Sequence, residues 1–259
     1  MPRIAANLTM LFSESPFLER FDRAAAAGFT AVEFQLPYEH DPNDIADRLS
    51  RNNLELVLFN LPAGDWGAGD RGVAAIYSRL AEFQEGVGKA LEYAAVLHPP
   101  LLNCLAGIAA PTPENDLALL QNVRFAAEQL EEHGIRLTLE PVNTHDVESF
   151  ALPTSRSVIE LIAELEHPNV GLQLDVYHSI RMGEDPFALI TDLGNEIAHI
   201  QVADVPGRHQ LGTGEVDFRK LFDTIDASGY EGWVALEYIP EGPTEEGFGL
   251  LREIGLLPQ

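Results

Sequence analysis

The sequence predicts an α/β fold of one domain, a (β/α)₈ (TIM) barrel spanning residues 1–259. Apolar strand-like segments alternate with amphipathic helix-like segments without a linker between them, which favours a parallel sheet. There are eight such pairs, and the length is typical of one closed barrel. An open dinucleotide-binding sheet is disfavoured, because no GxGxxG motif follows a strand.

The elements follow from hydrophobic periodicity and from capping signals. Strands are predicted at residues 4–10, 31–35, 54–60, 101–107, 136–142, 170–178, 197–204 and 233–238. Helices are predicted at 16–27, 42–52, within 73–97, and at 113–133, 154–165, 185–193, 217–228 and 244–254. Ser15 and Asp41 are the expected N-caps of the first two helices, and Gly28 is the expected stop of the first.

The amino-acid composition limits the kinds of molecule that the protein is expected to bind. The net charge is −25, from 41 acidic and 16 basic residues, and such a surface repels nucleic acid and anionic membranes. The single cysteine, Cys104, excludes an internal disulfide and is expected to be a buried apolar residue. Because no signal-like start or membrane-length apolar run is present, we expect a cytoplasmic protein.

Four strands carry one oxygen-bearing side chain each near their carboxyl ends. These residues are Glu140, Asp175, Gln201 and Glu237. Side chains alternate between the faces of a strand, so each of the four shares its face with other polar or small residues, such as Thr138, Gln173 and His199. The intervening leucine, isoleucine and valine residues are expected to face the helices. We therefore expect the four side chains to meet inside the barrel, where such folds place their active sites.

Three carboxylates and an amide oxygen are typical ligands of a hard cation, so the pattern predicts a site for Mg²⁺ or Mn²⁺. The alternative is four unrelated acceptors that arginine or backbone groups satisfy. Across a metal, Glu140 and Glu237 would be suited to shuttling a proton beside a carbonyl group, through an enediolate. Hydrolysis by a metal-bound water is a second possibility. Schiff-base chemistry is disfavoured because both lysines fall on predicted helices.

Three further residues are candidates for contact with a substrate. Arg208 follows the seventh strand and suits a carboxylate, which would indicate a small anionic substrate; a surface salt bridge is the alternative. His178 could donate to a substrate oxygen or serve only the structure. Trp66, in the glycine-rich loop 62–72, is either a lid or an anchor for that loop.

Longer motifs extend over nearly the whole chain. They are ANLTMLF (6–12), GFTAVEFQLPY (28–38), NLPAGDWGAGDRG (60–72), NCLAG (103–107), LEPVN (139–143), QLDVYH (173–178), HIQVADVPGRH (199–209), GTGEVDF (212–218) and GYEGWVALEY (229–238). With these motifs the sequence resembles the hydroxypyruvate isomerases of the xylose-isomerase-like barrel superfamily. The resemblance implies reversible conversion of hydroxypyruvate to 2-hydroxy-3-oxopropanoate through an enediol.

The resemblance also implies roles for individual residues. Glu140 and Glu237 would be the acid/base pair and metal ligands, and Asp175 and Gln201 would complete the metal site. His178, Arg208 and Asn60, the first residue of NLPAGDWGAGDRG, would contact the substrate. Related sugar epimerases have a histidine in place of Gln201, so this glutamine favours the hydroxypyruvate branch. A homo-oligomer is possible, since barrels of this kind often assemble.

The sequence is compatible with several alternative functions. A 2-oxo-tetronate isomerase, or another sugar-acid or ketose isomerase or epimerase, would use the same chemistry. A DNA repair nuclease on the same barrel is opposed by the acidic charge and the few histidines, and an inactive binding barrel by the intact site set. Departures from the family pattern affect the exact substrate. They occur at Glu148, Ser149, Gln210, Leu211 and Ile239.

Overall fold

The computed structural model describes residues 1–258, and for residue 195 the backbone alone. Within that range it contains one sheet of nine parallel strand segments, surrounded by helices. The strands are β1 (Arg3–Asn7), β2 (Ala31–Glu33), β3 (Glu55–Leu56), β4 (Leu58–Asn60), β5 (Leu101–Cys104), β6 (Arg136–Leu139), β7 (Val170–Asp175), β8 (Ile197–Val202) and β9 (Trp233–Leu236). Their order around the sheet is β3-β2-β1-β9-β8-β7-β6-β5-β4.

The predicted eight-stranded barrel is confirmed, because β3 and β4 are two parts of one barrel strand. The strand is interrupted only at Val57, whose amide donates to the carbonyl of Val32 at 2.9 Å. On one side β3 pairs with β2, and on the other β4 pairs with β5. The amide of Asn60 also donates to the carbonyl of Gln35 at 2.9 Å, so this strand joins both edges and closes the ring.

Helices follow the strands in the predicted alternation. They are α1 (Phe17–Ala26), α2 (Pro42–Asn52), α3 (Leu80–Leu97), α4 (Pro113–Glu131), α5 (Ser155–Leu165), α6 (Val176–Arg181), α7 (Pro186–Leu193), α8 (Phe218–Ser228) and α9 (Gly249–Glu253). The Asp41 side chain caps α2 by accepting from the amide of Asn43, as predicted. The last helix is shorter than predicted, since residues 244–248 form a 3-10 turn before α9.

Several strands end earlier than predicted, for example β1 at Asn7 instead of residue 10 and β5 at Cys104 instead of residue 107. Two further local predictions are wrong. Ser15 does not cap α1, which starts after Pro16 without a side-chain cap; the Ser15 hydroxyl accepts from the Arg23 guanidinium instead. Strand β7 ends at Asp175 rather than at His178, because α6 begins in the next residue. The Asp175 carboxylate caps this helix by accepting from the amide of Tyr177 at 2.8 Å. His178 therefore projects from a helical turn and not from a strand.

Apolar residues form two separate clusters. The larger lies between the sheet and the helices, and it contains the residues predicted to face the helices, namely Leu137, Leu139, Leu172, Leu174, Ile200 and Val202. The smaller cluster is built from Ala5, Ala31, Val57, Leu58 and Ala235. Ala235 shares its face of β9 with Glu237, so this cluster fills the barrel interior below the polar strand ends. No helix within the described residues is both long and apolar enough to cross a bilayer.

The glycine-rich loop after β4 is fastened to the loop after β5. Gly72 forms an antiparallel bridge with Ala106, and its amide donates to the carbonyl of Ala63 at 3.0 Å. A Cβ added to Gly72 would lie 2.1 Å from the carbonyl oxygen of Leu105. Only glycine permits this backbone approach, which fixes the loop over the carboxyl ends of the strands.

We predict that Gly72→Ala destabilises the protein more than Gly69→Ala. Both glycines have positive φ values, 107° and 104°, but a Cβ at Gly69 meets nothing within 4 Å. The two variants share the backbone strain, and only Gly72→Ala adds a collision, which should cost about 1–3 kcal/mol more. Urea unfolding of both variants measures the difference, and equal losses would contradict the proposed close approach.

Candidate active site

The four side chains predicted to converge lie at the carboxyl ends of β6 to β9. Glu140 follows β6 directly, Asp175 ends β7, Gln201 lies in β8 and Glu237 follows β9. Asp175 and Gln201 are paired neighbours in the sheet register. All four are buried, with exposed fractions of 6% or less. The barrel therefore gathers three carboxyl groups in an interior that water hardly reaches.

Arg208 is the cation that balances this cluster. Its Nη2 donates to Glu237 Oε2 at 2.6 Å and lies 3.3 Å from Asp175 Oδ2. The sequence predicted Arg208 near the carboxylates but left open whether it binds substrate or a protein acid. In the structure one guanidinium nitrogen bridges two of the candidate metal ligands, which a surface salt bridge would not do.

The loop that carries Arg208 is organised by the carboxylate of Asp204. Asp204 is buried and accepts hydrogen bonds from the backbone amides of Val205, Gly212, Gly214 and Val216 at 2.8–3.1 Å. Asp204 also forms a backbone bridge with His209. Arg208 itself adopts a left-handed backbone conformation, with φ of 57°. The loop thus holds Arg208 in a conformation that a free chain would rarely adopt.

His178 faces the same carboxyl groups from α6. Its Nε2 lies 3.5 Å from Asp175 Oδ2 and 3.9 Å from Glu140 Oε1. Its Nδ1 accepts from the backbone amide of Asn143 at 3.4 Å, and the Asn143 side chain contacts the same nitrogen at 2.6 Å. Because an amide N–H can only donate, the ring hydrogen belongs on Nε2. His178 is therefore a hydrogen-bond donor pointing into the site.

Burial shifts the proton equilibria of the site. Burial raises the pKa of Glu140 well above its usual range, and the nearby charges of Glu237 and Asp175 raise it further. Burial raises the pKa of Asp175 to about 7 and also raises that of Glu237, although Arg208 opposes both shifts. Burial and the charge of Arg208 lower the pKa of His178. These groups favour neutral forms unless a cation accompanies them.

Two residues that the sequence interpretation did not single out, Asn7 and Gln35, hold Glu237 in place, and a third, Glu33, contacts Asn7. Glu237 Oε1 accepts from Asn7 Nδ2 at 3.0 Å and from Gln35 Nε2 at 2.9 Å. Asn7 also donates to Glu33 Oε1 at 2.8 Å, and Glu33 Oε2 contacts His199 Nε2 at 2.6 Å. Glu33 and Gln35 alternate with apolar residues along the segment AVEFQ. The alternation of side chains between the two faces of a strand therefore identifies Glu33 and Gln35 as residues that face the barrel interior.

A second set of amide contacts continues around the interior. Gln201 donates through Nε2 to Glu33 at 2.7 Å, and its Oε1 accepts from Gln173 at 2.7 Å. On the far side Asn103 donates to Glu140 Oε2 at 3.0 Å and to Asn60 Oδ1 at 3.3 Å. The structure thus places Gln201 beside the carboxyl cluster with its oxygen engaged by another amide. Asn103 therefore connects Asn60 to Glu140 through hydrogen bonds to both.

The donor set fits a hard divalent cation. Glu140, Asp175 and His178 each bring one potential ligand atom within 4.8 Å of the others. Two of these atoms are carboxylate oxygens, and Gln201 and Glu237 add further oxygens nearby, a composition that suits Mg²⁺ or Mn²⁺. The hydrogen on His178 Nε2 favours donation over ligation by this side chain. The carboxyl groups are thus the residues that would hold an ion.

A small cavity opens onto this cluster. Its volume is about 130 Å³, below the roughly 300–1,000 Å³ of a drug-sized pocket. The polar residues that line it are Gln35, Asn60, Arg71, Glu140, Asp146, His178 and Arg208, and Trp66 lies at the same wall. Leu105, Val142 and Phe150 supply apolar surface. The dimensions and the lining suit a small polar molecule rather than a polymer.

Comparisons with known proteins define the class. A family model described as xylose isomerase-like TIM barrel matches residues 21–254. Hydroxypyruvate isomerase of Escherichia coli (strain K12) is 42% identical over 95% of this chain and 97% of its own. A 2-oxo-tetronate isomerase of Cupriavidus necator is 40% identical, over 97% and 98%.

One solved structure is very similar, the crystal structure of a protein named AP endonuclease, family 2, from Brucella melitensis. It has a TM-score of 0.95, with 42% identity over 98% of this chain and 99% of that one. The fold and the relatives therefore define an enzyme of the isomerase class. The chain belongs to the xylose isomerase-like TIM barrel family and, within it, to the hydroxypyruvate isomerase family.

Replacing Asp175 should reveal its raised pKa as a change in stability. In metal-free protein the folded state keeps a proton on Asp175 up to a pH of about 7, whereas the unfolded chain releases it near pH 4. The wild type should therefore lose stability relative to Asp175→Asn as the pH rises from about 5 to 8, on the order of 2–3 kcal/mol. Urea unfolding in chelator measures both proteins, and parallel pH profiles would contradict the shift.

Proposed function

We propose that the protein interconverts hydroxypyruvate and 2-hydroxy-3-oxopropanoate (tartronate semialdehyde) by proton transfer through an enediol intermediate. The observation that carries the proposal is the pair Glu140 and Glu237, two buried carboxyl groups close enough to interact, with Arg208 bound to Glu237 and the donor His178 beside Glu140. The identity to the hydroxypyruvate isomerase of E. coli, over nearly the full length of both chains, supports the choice of substrate.

The two glutamates have different surroundings, which suits different roles. Glu140 lines the cavity, and its raised pKa lets it hold or accept a proton near neutral pH. Arg208 and two amides bind the Glu237 carboxylate and favour its charged form. One glutamate removes the proton from the carbon beside the carbonyl group, and the other returns a proton to the neighbouring carbon.

Other residues of the cavity orient the substrate. His178 Nε2–H is placed to donate to a substrate oxygen, and the Asn60 amide offers a further polar contact beside Glu140. Arg208, predicted to bind substrate, also lines the cavity, while its Nη2 contacts the protein carboxylates. The apolar wall limits the access of water, which would otherwise protonate the enediolate outside the control of the protein.

We further propose Mg²⁺ or Mn²⁺ as cofactor, held by Glu140, Asp175, Gln201 and Glu237. When bound, such an ion supplies positive charge that stabilises the oxygens of an enediolate. The raised pKa values of the carboxyl groups support the assignment, since a buried acidic cluster with one arginine has an excess of negative charge. We place the protein in the cytoplasm and leave homo-oligomer formation as a prediction.

A 2-oxo-tetronate isomerase is the second candidate, because the relative with that name is almost as similar, at 40% identity. The two substrates share the 2-oxo acid group, so a side-by-side assay separates them. The name of the Brucella protein raises a nuclease as a third candidate. The net charge of −25 opposes it, and His178 is the one cavity-lining histidine in the part of the chain that the structure describes.

We predict that Glu140→Gln and Glu237→Gln each lower kcat by about 100- to 10,000-fold with hydroxypyruvate. Each change keeps the shape of the side chain and removes its ability to transfer a proton. Glu160→Gln, at an exposed position on α5, is the charge-matched control. Circular dichroism and melting temperature report folding, and a folded Glu140→Gln variant with full turnover would refute the acid/base pair.

The affinity of the site for a divalent metal ion should increase with pH. The carboxyl groups must lose protons to bind a cation, so Mn²⁺ should bind more tightly at about pH 8 than at about pH 6 and release protons on binding. Calorimetric titration in buffers of different ionisation enthalpy measures the released protons. Asp175→Asn should bind Mn²⁺ more weakly and with a smaller pH dependence. Affinity that does not change with pH would contradict the assignment of these ligands.

A further inference from the structure

We propose that Arg71, held against Trp66, binds the carboxylate of the substrate. The identity of that substrate rests on the proposed function, but the anion site itself rests on the contacts of Arg71. The sequence pattern favoured Arg208 for this role instead. The two arginines line the same cavity, and their surroundings differ.

Arg208 already has anionic partners within the protein. Its guanidinium contacts Glu237 at 2.6 Å and Asp175 at 3.3 Å, and Glu140 adds a third carboxyl group in the same interior. An anion bound there would face three protein carboxyl groups. Arg208 is therefore better suited to balancing the acid/base pair than to receiving a further negative charge.

Arg71 forms no salt bridge with any acidic residue that the structure describes. Its Nη1 donates to the backbone carbonyls of Asp70 at 2.7 Å and Trp66 at 3.2 Å. The adjacent carboxylate, Asp70, is taken by Arg79 at 2.8 Å and by the amide of Asp65. Arg71 acts on Asp70 through its charge, but without a salt bridge, so its guanidinium keeps donors for a ligand, in a chain with far more acidic than basic residues.

The guanidinium of Arg71 is fixed before any ligand arrives. Its central carbon lies 4.0 Å from the centre of the Trp66 ring, so the two groups stack. Stacking and the two carbonyl contacts define the plane of the guanidinium and leave Nε and Nη2 for an acceptor. A planar pair of donors matches a carboxylate, and a fixed pair loses little conformational entropy on binding.

The loop beneath Arg71 is equally well fixed. Asp65 caps the short turn Trp66–Ala68 by accepting from the amide of Ala68. Gly72, the next residue after Arg71, is bridged to Ala106 in the loop after β5. Arg71 therefore stands on a loop tied to the barrel, so that Trp66 is an anchor for the arginine as well as part of the cavity wall.

These contacts define an orientation for a small 2-oxo acid. Glu140, His178 and Arg71 all line the same cavity. With its carboxylate on Arg71, the acid would present its carbonyl and hydroxymethyl carbons to Glu140. Hydroxypyruvate and 2-oxo-tetronate share this carboxylate, so the same contact would select for acids over neutral sugars of equal length.

The experiment compares Arg71→Met, Arg71→Lys and the wild type, with Arg156→Met as a control that removes the same charge from an exposed position. The first measurement is calorimetric binding of D-glycerate, an unreactive three-carbon acid. We expect Arg71→Met to weaken binding by about 10- to 100-fold, Arg71→Lys by less, and Arg156→Met not at all. Unchanged binding in Arg71→Met, or no saturable binding to the wild type, would overturn the proposal.

The second measurement is turnover of hydroxypyruvate against dihydroxyacetone, which replaces the carboxylate with a neutral hydroxymethyl group. Arg71→Met should raise KM for hydroxypyruvate, and the ratio of kcat/KM for hydroxypyruvate to kcat/KM for dihydroxyacetone should fall by about 10- to 100-fold; an unchanged ratio would overturn the role. The two measurements distinguish failure of the proposed anion site from failure of the proposed isomerase function. Glycerate binding that depends on Arg71, in a protein that isomerises neither acid, would refute the isomerase and keep the anion site.

Discussion

The structure depends on how the barrel interior accommodates a cluster of buried carboxyl groups that outnumber the cations beside them. Glu140, Asp175 and Glu237 lie together at the carboxyl ends of their strands, and Arg208 is the cation that contacts two of them. Isolated buried charges are very unfavourable, so such groups take up protons, pair with a cation or accept several hydrogen bonds. The site uses all three means, and each is also a property that proton-transfer chemistry requires.

The polar interior is layered, which explains why the site is positioned accurately. Small apolar residues such as Ala5 and Ala235 fill the lower barrel. Above them Glu33 receives hydrogen bonds from Asn7 and Gln201, and Asn7 also donates to Glu237. Hydrogen bonds from residues outside the cavity, such as Glu33, thereby help to fix the orientation of the Glu237 carboxyl group within a rigid ring of strands.

Much of this arrangement can be read from the sequence, because strand alternation is strictly local. The eight pairs of elements and the convergence of Glu140 and Glu237 follow from it, and Glu33 would have followed had the rule been applied to the second strand. The bridge from Arg208 to Glu237 could not be predicted, since it depends on the folded loop around Asp204. Similarly, whether an arginine forms a salt bridge with a protein carboxylate depends on contacts between segments that are distant in the sequence.

If Glu140 and Glu237 move a proton through solvent-exchangeable positions, the product formed in D₂O must acquire deuterium. Hydroxypyruvate is converted in D₂O, and the product is trapped at once by borohydride reduction to glycerate and analysed by NMR, with a sample lacking enzyme as reference. We expect enzyme-dependent deuterium on C2, which Glu140→Gln abolishes. Product formed at full rate without deuterium on C2 would indicate direct hydride transfer and would exclude proton transfer by the two glutamates.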